Sequence, residues 1–98
     1  PKLDYRGYKL INRYPEFHYT INGIDVYELI LPKANGKGLS RTFRIPNVKS
    51  TVWFNTDSFD GIKYEASTGT WDGNRLKLTS KEARKFSIIM SVKEGGLL

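Results

Sequence analysis

The fold of this chain follows from residues 17–27, which read Phe17-His18-Tyr19-Thr20-Ile21-Asn22-Gly23-Ile24-Asp25-Val26-Tyr27. Apolar and polar side chains alternate on both sides of Asn22-Gly23, which is the pattern of two half-buried β-strands. Asn-Gly suits a two-residue type I′ turn, because both turn positions need positive φ. The sequence therefore predicts an antiparallel hairpin that reverses at Asn22-Gly23.

The two-residue turn also fixes which residues face each other across the hairpin. Two pairs are predicted on the core face and two on the outer face: Ile21 with Ile24, Tyr19 with Val26, Thr20 with Asp25, and His18 with Tyr27. On this register His18 is interpreted as a cross-strand partner of Tyr27 rather than as a metal ligand.

Alternation recurs in short segments along the rest of the chain, at 39–45, 51–55, 61–66, 75–78 and 86–92. Only 79–84 suggests a helical turn, capped by Thr79 or Ser80. We therefore predict one all-β domain over 1–98, an antiparallel sandwich of seven to eight short strands, with a small barrel as the alternative.

Two positions depart from the alternation. The phase is lost over 28–31, which predicts a β-bulge or a strand buried on both faces. Arg41 shares the phase of Leu39 and Phe43, so we expect it near a strand edge, where its charged group reaches water.

Composition excludes several classes of site. The chain has no cysteine, which removes disulfides, thiolate metal sites and c-type haem attachment. No apolar run approaches the roughly 20 residues that span a bilayer, and the residues after Pro1 lack the apolar stretch of a signal peptide. The formal charge of +6 makes nucleic acid, anionic polymers and acidic proteins plausible partners.

Several segments resemble a β-sandwich module of large secreted bacterial proteins. They are Tyr5-Arg6-Gly7-Tyr8-Lys9-Leu10, Pro15-Glu16-Phe17-His18-Tyr19, Gly23-Ile24-Asp25-Val26, Gly38-Leu39-Ser40-Arg41-Thr42-Phe43 and Val52-Trp53-Phe54. The parent proteins are similar to sugar dehydrogenases with a propeller and a c-type cytochrome segment. The resemblance implies an accessory, periplasmic or extracellular module whose partners are other domains or subunits, and whose family keeps its redox residues elsewhere.

The sequence contains no pattern typical of a catalytic site. His18 is the single imidazole, and neither a G-x-S-x-G nor a P-loop pattern occurs. Carboxylates could pair in space for acid/base work or hold calcium: Asp57, Asp60, Asp72, Glu65 and Glu28. We interpret them as solvated turn and surface residues, and predict no catalytic residue, no metal site and no cofactor in this chain.

Exposed aromatic rings offer a sharper hypothesis, because they can stack on sugar rings or bases. Trp71 is the best candidate, since it adjoins the predicted turn at Asp72 and Asn74, and Tyr27 is a second stacking residue. The alternative interpretation, which we favour, has Trp53 in the core and Trp71 at its rim.

Four cations fall on the outward phase of their strands: Arg44, Lys63, Arg75 and Lys77. If those strands are neighbours, the cations form a basic face that could receive phosphates. Two hypotheses follow. The first is a noncatalytic binding or assembly module of a larger secreted redox or carbohydrate-active protein, with carbohydrate as a further ligand. The second is a nucleic-acid-binding β-domain.

Overall fold

A computed structural model of the chain describes residues 2–33, 36–56 and 61–92. These residues form an all-β sandwich of two open antiparallel sheets, with no closed barrel among them. The strands are β1 (Leu3–Ile11), β2 (Tyr14–Ile21), β3 (Ile24–Pro32), β4 (Gly38–Arg44), β5 (Val52–Asn55), β6 (Ile62–Ala66), β7 (Thr70–Asp72), β8 (Arg75–Leu78) and β9 (Lys85–Val92), with one short helix, α1 (Ser80–Ala83). The predicted fold class is confirmed.

The large sheet has six strands in the order β1-β2-β3-β4-β9-β6, and the small sheet has three in the order β5-β8-β7. The hairpin of β2 and β3 has the predicted register in all four pairs. Its turn residues have φ of 52° at Asn22 and 81° at Gly23, as a type I′ turn requires.

The chain starts with a second hairpin that the sequence did not predict, formed by β1 and β2. Its turn residues Asn12 and Arg13 have φ of 50° and 73°, so Arg13 occupies a left-handed conformation that a bulky residue seldom adopts. The register between the strands shifts between Tyr5 and Gly7. This β-bulge places one extra residue, Arg6, in β1.

The core lies between the small sheet and the middle of the large sheet. Its buried residues are Val26, Phe43, Ile45, Val48, Leu76, Leu78, Ala83, Phe86 and Ile88. The rings of Phe43 and Phe86 stack with centroids 4.9 Å apart, and Phe54 of the small sheet packs edge-on against Phe43 at 5.5 Å. Aromatic packing of this kind joins the two layers.

The interrupted alternation at 28–31 does not mark a bulge. β3 runs through this segment in unbroken register with β4. Glu28 takes an inward position because Tyr19 Oη donates to its Oε1 at 3.0 Å and Arg41 Nε donates to its Oε2 at 2.7 Å. Arg41 is therefore not near a strand edge: it lies in the middle of β4, where Glu28 compensates its charge, and its side chain stays partly exposed, as expected.

The segments on either side of the small sheet's β7 and β8 are fixed by a helix cap and by a glycine. Thr79 caps α1, and its hydroxyl accepts from the Glu82 amide while the Glu82 carboxylate accepts from the Thr79 amide. This capping box confirms the predicted helical turn. Gly69 precedes β7 with φ of 96°, and a Cβ there would lie 2.9 Å from Leu76 Cδ1 and Leu78 Cδ2.

Candidate functional site

One face of β1 carries the most exposed large apolar side chains among the described residues. Leu3, Tyr5, Tyr8 and Leu10 are 65, 63, 63 and 64% exposed. All four side chains lie on the side of the large sheet that packs against the core further along the sheet. Tyr5 is on this side because it pairs with Tyr19. The extra residue of the bulge puts Tyr8, three residues later, on the same side. We call these four residues the β1 apolar face.

This face is exposed because the small sheet has half as many strands as the large one. The buried core cluster draws on β3, β4 and β9 of the large sheet and takes no residue from β1. The four side chains expose on the order of 400 Å². Apolar patches of this size on a folded domain are commonly functional.

An apolar cleft adjoins the β1 apolar face. Its volume is about 240 Å³. It lies between the turn of the β2 and β3 hairpin and the segment before β5, and its apolar lining is Ile21, Ile24, Val26, Ile45, Val48 and Val52. Ile21 pairs with Leu3, so the cleft and the face are continuous. A protruding side chain of a partner would fit this cleft.

Cations follow β1, but mostly on the side of the strand away from its apolar face, since Arg6 and Lys9 line a pocket on the other face of the sheet. Lys2, Arg6, Lys9 and Arg13 lie on or beside β1, whereas Asp4 is its one acid. Lys2 Nζ lies 3.9 Å from Asp4, and Lys9 Nζ lies 4.0 Å from Glu16. Within the described ranges, Arg6 and Arg13 form no ion pair. The β1 segment therefore carries net positive charge, which lies behind the apolar face and at the ends of the strand.

The outer face of the large sheet carries a row of stacked rings. His18 and Tyr27 are parallel with centroids 4.4 Å apart, and the Arg44 guanidinium lies 4.5 Å from the centroid of Tyr27. His18 Nε2 lies 2.8 Å from Asp25 Oδ1. The predicted pairing of His18 with Tyr27 is confirmed, and the contacts of both rings within the sheet account for their positions.

An open pocket of about 220 Å³ lies beside this row, where the bulge of β1 curves away. Its floor includes Glu16, which is 6% exposed. Arg44 Nη2 donates to Glu16 Oε1 at 3.3 Å, and Lys9 approaches it from the rim. These two cations neutralise the buried carboxylate of Glu16, so this carboxylate needs no ligand to compensate its charge.

The outer face of the small sheet exposes Trp53, which contradicts its predicted place in the core. Trp53 is 41% exposed. The Arg75 guanidinium lies 4.4 Å and the Lys77 ammonium 5.8 Å from the centroid of its ring. Two cross-strand cations thus allow the indole to face outward.

Trp71 lies at the rim of the sandwich, as the favoured interpretation expects. It pairs with the buried Leu76 across β7 and β8 and is 39% exposed. It lines a shallow pocket with Ile62 and Tyr64 of β6. Trp71 therefore borders the edge of the large sheet and is still partly exposed to solvent.

The other residues of the predicted ligand site have separate contacts. Asp72 lies 3.7 Å from Arg75, and the Asn74 amide donates to the Thr56 carbonyl at 3.1 Å. Tyr27 is on the other sheet. The structure thus keeps Trp71, Asp72 and Asn74 on one hairpin but does not bring Tyr27 to them.

The four predicted cations are divided between the two outer faces. Arg44 and Lys63 lie on the large sheet, and Arg75 and Lys77 lie on β8 of the small sheet. Their strands are therefore not all neighbours, and they do not form one basic face. Lys63 also pairs with Glu65 at 2.8 Å, and this hydrogen bond holds the pKa of Glu65 below its usual value.

Carboxylates do not converge on a catalytic pocket in the part of the chain that the structure describes. No group of three or more His, Asp and Glu residues there has the geometry to hold a metal ion. Asp57 and Asp60 lie outside the described residues. Burial, followed by the nearby charge of Glu28 and the hydrogen bond to it, raises the pKa of Tyr19. That hydroxyl therefore stays protonated and donates to Glu28.

Comparison of the chain with protein families, with curated proteins and with solved structures finds no match in any of the three. Among the described residues, no helix has the length and apolar character needed to cross a bilayer.

Proposed function

We propose that this chain is a noncatalytic assembly module that docks another domain or subunit of a larger protein through the β1 apolar face. The observation that carries the proposal is the exposure of Leu3, Tyr5, Tyr8 and Leu10 on the side of the sheet that elsewhere forms the core. A sheet buries such a face against a second layer. The small sheet supplies that layer only over the middle of the large sheet.

The partner is an acidic protein surface with exposed apolar side chains. Its apolar part matches the face and the adjoining cleft, and its negative charge complements the net charge of +6 of this chain. A second copy of this chain is the less favourable occupant, because two chains of the same positive charge repel each other. The area of the face also suits a contact between domains better than a stable dimer, which buries about 800 Å² per partner.

The larger protein in this proposal is a secreted redox or carbohydrate-active one, located in the periplasm or outside the cell. The resemblance of the segments around Tyr5, Tyr19 and Trp53 to accessory modules of such proteins supports this part of the proposal. The module then contributes binding, and other domains contribute the chemistry and any cofactor.

The test uses a synthetic amphipathic helix of Leu and Glu, and a matched helix of Leu and Lys, titrated into the chain by NMR. We expect the acidic helix to bind more tightly and to shift the amides of β1 and of the cleft. Tyr8→Ser should weaken binding severalfold, because it removes an apolar contact at the centre of the face. The control is Tyr14→Ser, in the same hairpin but on the opposite face.

Three results would contradict the proposal. They are equal binding of the two helices, amide shifts confined to another surface, and equal effects of the two tyrosine substitutions. Sedimentation of the chain alone gives an independent check. A tight dimer that Tyr8→Ser dissociates would mean that a second copy, and not an acidic partner, covers the face.

A further inference from the structure

The outer face of the small sheet is a second surface, separate from the β1 apolar face. Its outward side chains are Trp53 and Asn55 from β5, Arg75 and Lys77 from β8, and Thr70 and Asp72 from β7. We call these six residues the Trp53 platform. We infer that the Trp53 platform binds single-stranded nucleic acid, with a base stacked on the aromatic and guanidinium groups and phosphates on the two cations.

The indole of Trp53 is unusually exposed. Trp is among the most buried residues on average, yet Trp53 points away from the core while its strand neighbours Val52 and Phe54 pack against the core. Arg75 and Lys77 hold positive charge against its ring. Aromatic rings beside cations on an open sheet are the elements that bind bases and phosphates without sequence preference.

The Trp53 platform carries net positive charge. The platform has two cations and one acid, Asp72, which lies 3.7 Å from Arg75 at an exposed position. An exposed ion pair of this length is weak, so a phosphate can compete for Arg75. Nucleic acid supplies both a flat π system and an anion, whereas a neutral sugar lacks the anion and a sulfated polysaccharide lacks the aromatic ring.

The size of the platform limits the strength and salt dependence of binding. Three strands about 4.8 Å apart span about 10 Å, and two cations neutralise about two phosphates. For single strands this predicts a slope of log K against log salt of about −1.4. Affinity should then fall about sevenfold between about 50 and 200 mM salt.

The experiment measures binding of an oligothymidylate about eight nucleotides long to the full chain carrying Trp71→Phe, in which Trp53 is the single fluorescent indole. We expect quenching of Trp53 and the salt slope given above. An abasic strand of the same length has the phosphates without the bases, so it should bind at least about fivefold more weakly. It should also leave Trp53 unquenched.

Variants separate stacking from charge. Loss of the indole in Trp53→Ala should weaken oligothymidylate binding at least about fivefold, and Trp53→Phe should restore part of the loss. Because Trp53→Ala removes the fluorophore, these two are compared by polarisation of a labelled strand. Arg75→Ala should reduce the salt slope by about 0.7, whereas Lys63→Ala on the other sheet should leave it unchanged.

Equal affinity for the abasic and the normal strand would overturn the inference, and so would unchanged binding by Trp53→Ala. A heparin oligosaccharide that binds more tightly than oligothymidylate, and in a Trp53-dependent way, would assign the platform to acidic polysaccharide instead. Tyr8→Ser should leave oligothymidylate binding intact. Failure of the docking proposal and failure of this inference are therefore distinguishable.

Discussion

Glu28→Ala should be among the most destabilising substitutions in this chain, although it removes a polar side chain. Glu28 is 7% exposed and accepts hydrogen bonds from Tyr19 Oη at 3.0 Å and from Arg41 Nε at 2.7 Å. A hydrogen bond to a charged group contributes about 1.5–3 kcal/mol. Breaking an ion pair with one buried partner costs up to about 5 kcal/mol. Because Arg41 still reaches water, we expect a loss of about 3 kcal/mol.

Urea unfolding followed by tryptophan fluorescence measures this loss, and a loss of about 3 kcal/mol lowers the Tm of a domain of this size by roughly 12–24 °C. Glu28→Gln should cost less, because the amide oxygen still accepts from one donor. The control is Glu65→Ala, which breaks an exposed ion pair with Lys63 and should leave the unfolding midpoint nearly unchanged. Unfolding of Glu28→Ala and Glu65→Ala at the same urea concentration would show that the hydrogen bonds of Glu28 contribute no net stability.

Three further changes test other parts of the fold. The raised pKa of Tyr19 means that the unfolded chain loses this proton first above pH about 10. Stability to urea should therefore fall as pH rises beyond that value, and less so in Tyr19→Phe. Thr20→Val should raise the free energy of unfolding by about 1 kcal/mol, since the hydroxyl is buried and lacks a partner within the described residues; a lower Tm would count against this. Gly69→Ala should lower the Tm measurably, because the new Cβ would clash with the side chains of Leu76 and Leu78. An unchanged Tm would show that these side chains of β8 can move to make room for the methyl group.

The sequence predicts local pairing well where the turn determines it. Asn22-Gly23 sets the register of β2 and β3, and the pairing of His18 with Tyr27 follows from that register. β1 was missed for two local reasons. Its apolar positions change phase at the bulge beside Arg6, and the turn at Asn12-Arg13 has no glycine.

Partition of the strands between two sheets depends on contacts that are distant in sequence. The alternation around Trp53 does not show which phase faces the core, because that depends on Arg75 and Lys77 from another strand. Likewise, Glu28 looks like a break in β3 until Tyr19 and Arg41 are known to surround it. Alternation therefore predicts strands, while the candidate surfaces emerge only from their arrangement.

The bulge at Arg6 has a consequence for how this domain can associate. Among the described strands, the nine-residue β1 lies at the edge of its sheet, and an edge strand offers backbone amides and carbonyls to any extended chain. The extra residue, Arg6, interrupts this row after Tyr5. A regular β-strand that pairs in register with Leu3 would therefore be out of register with β1 at Leu10. The bulge thereby hinders edge-to-edge pairing of β1 strands from several copies of the chain. It leaves the β1 apolar face accessible to a partner that packs against the flat side of the sheet.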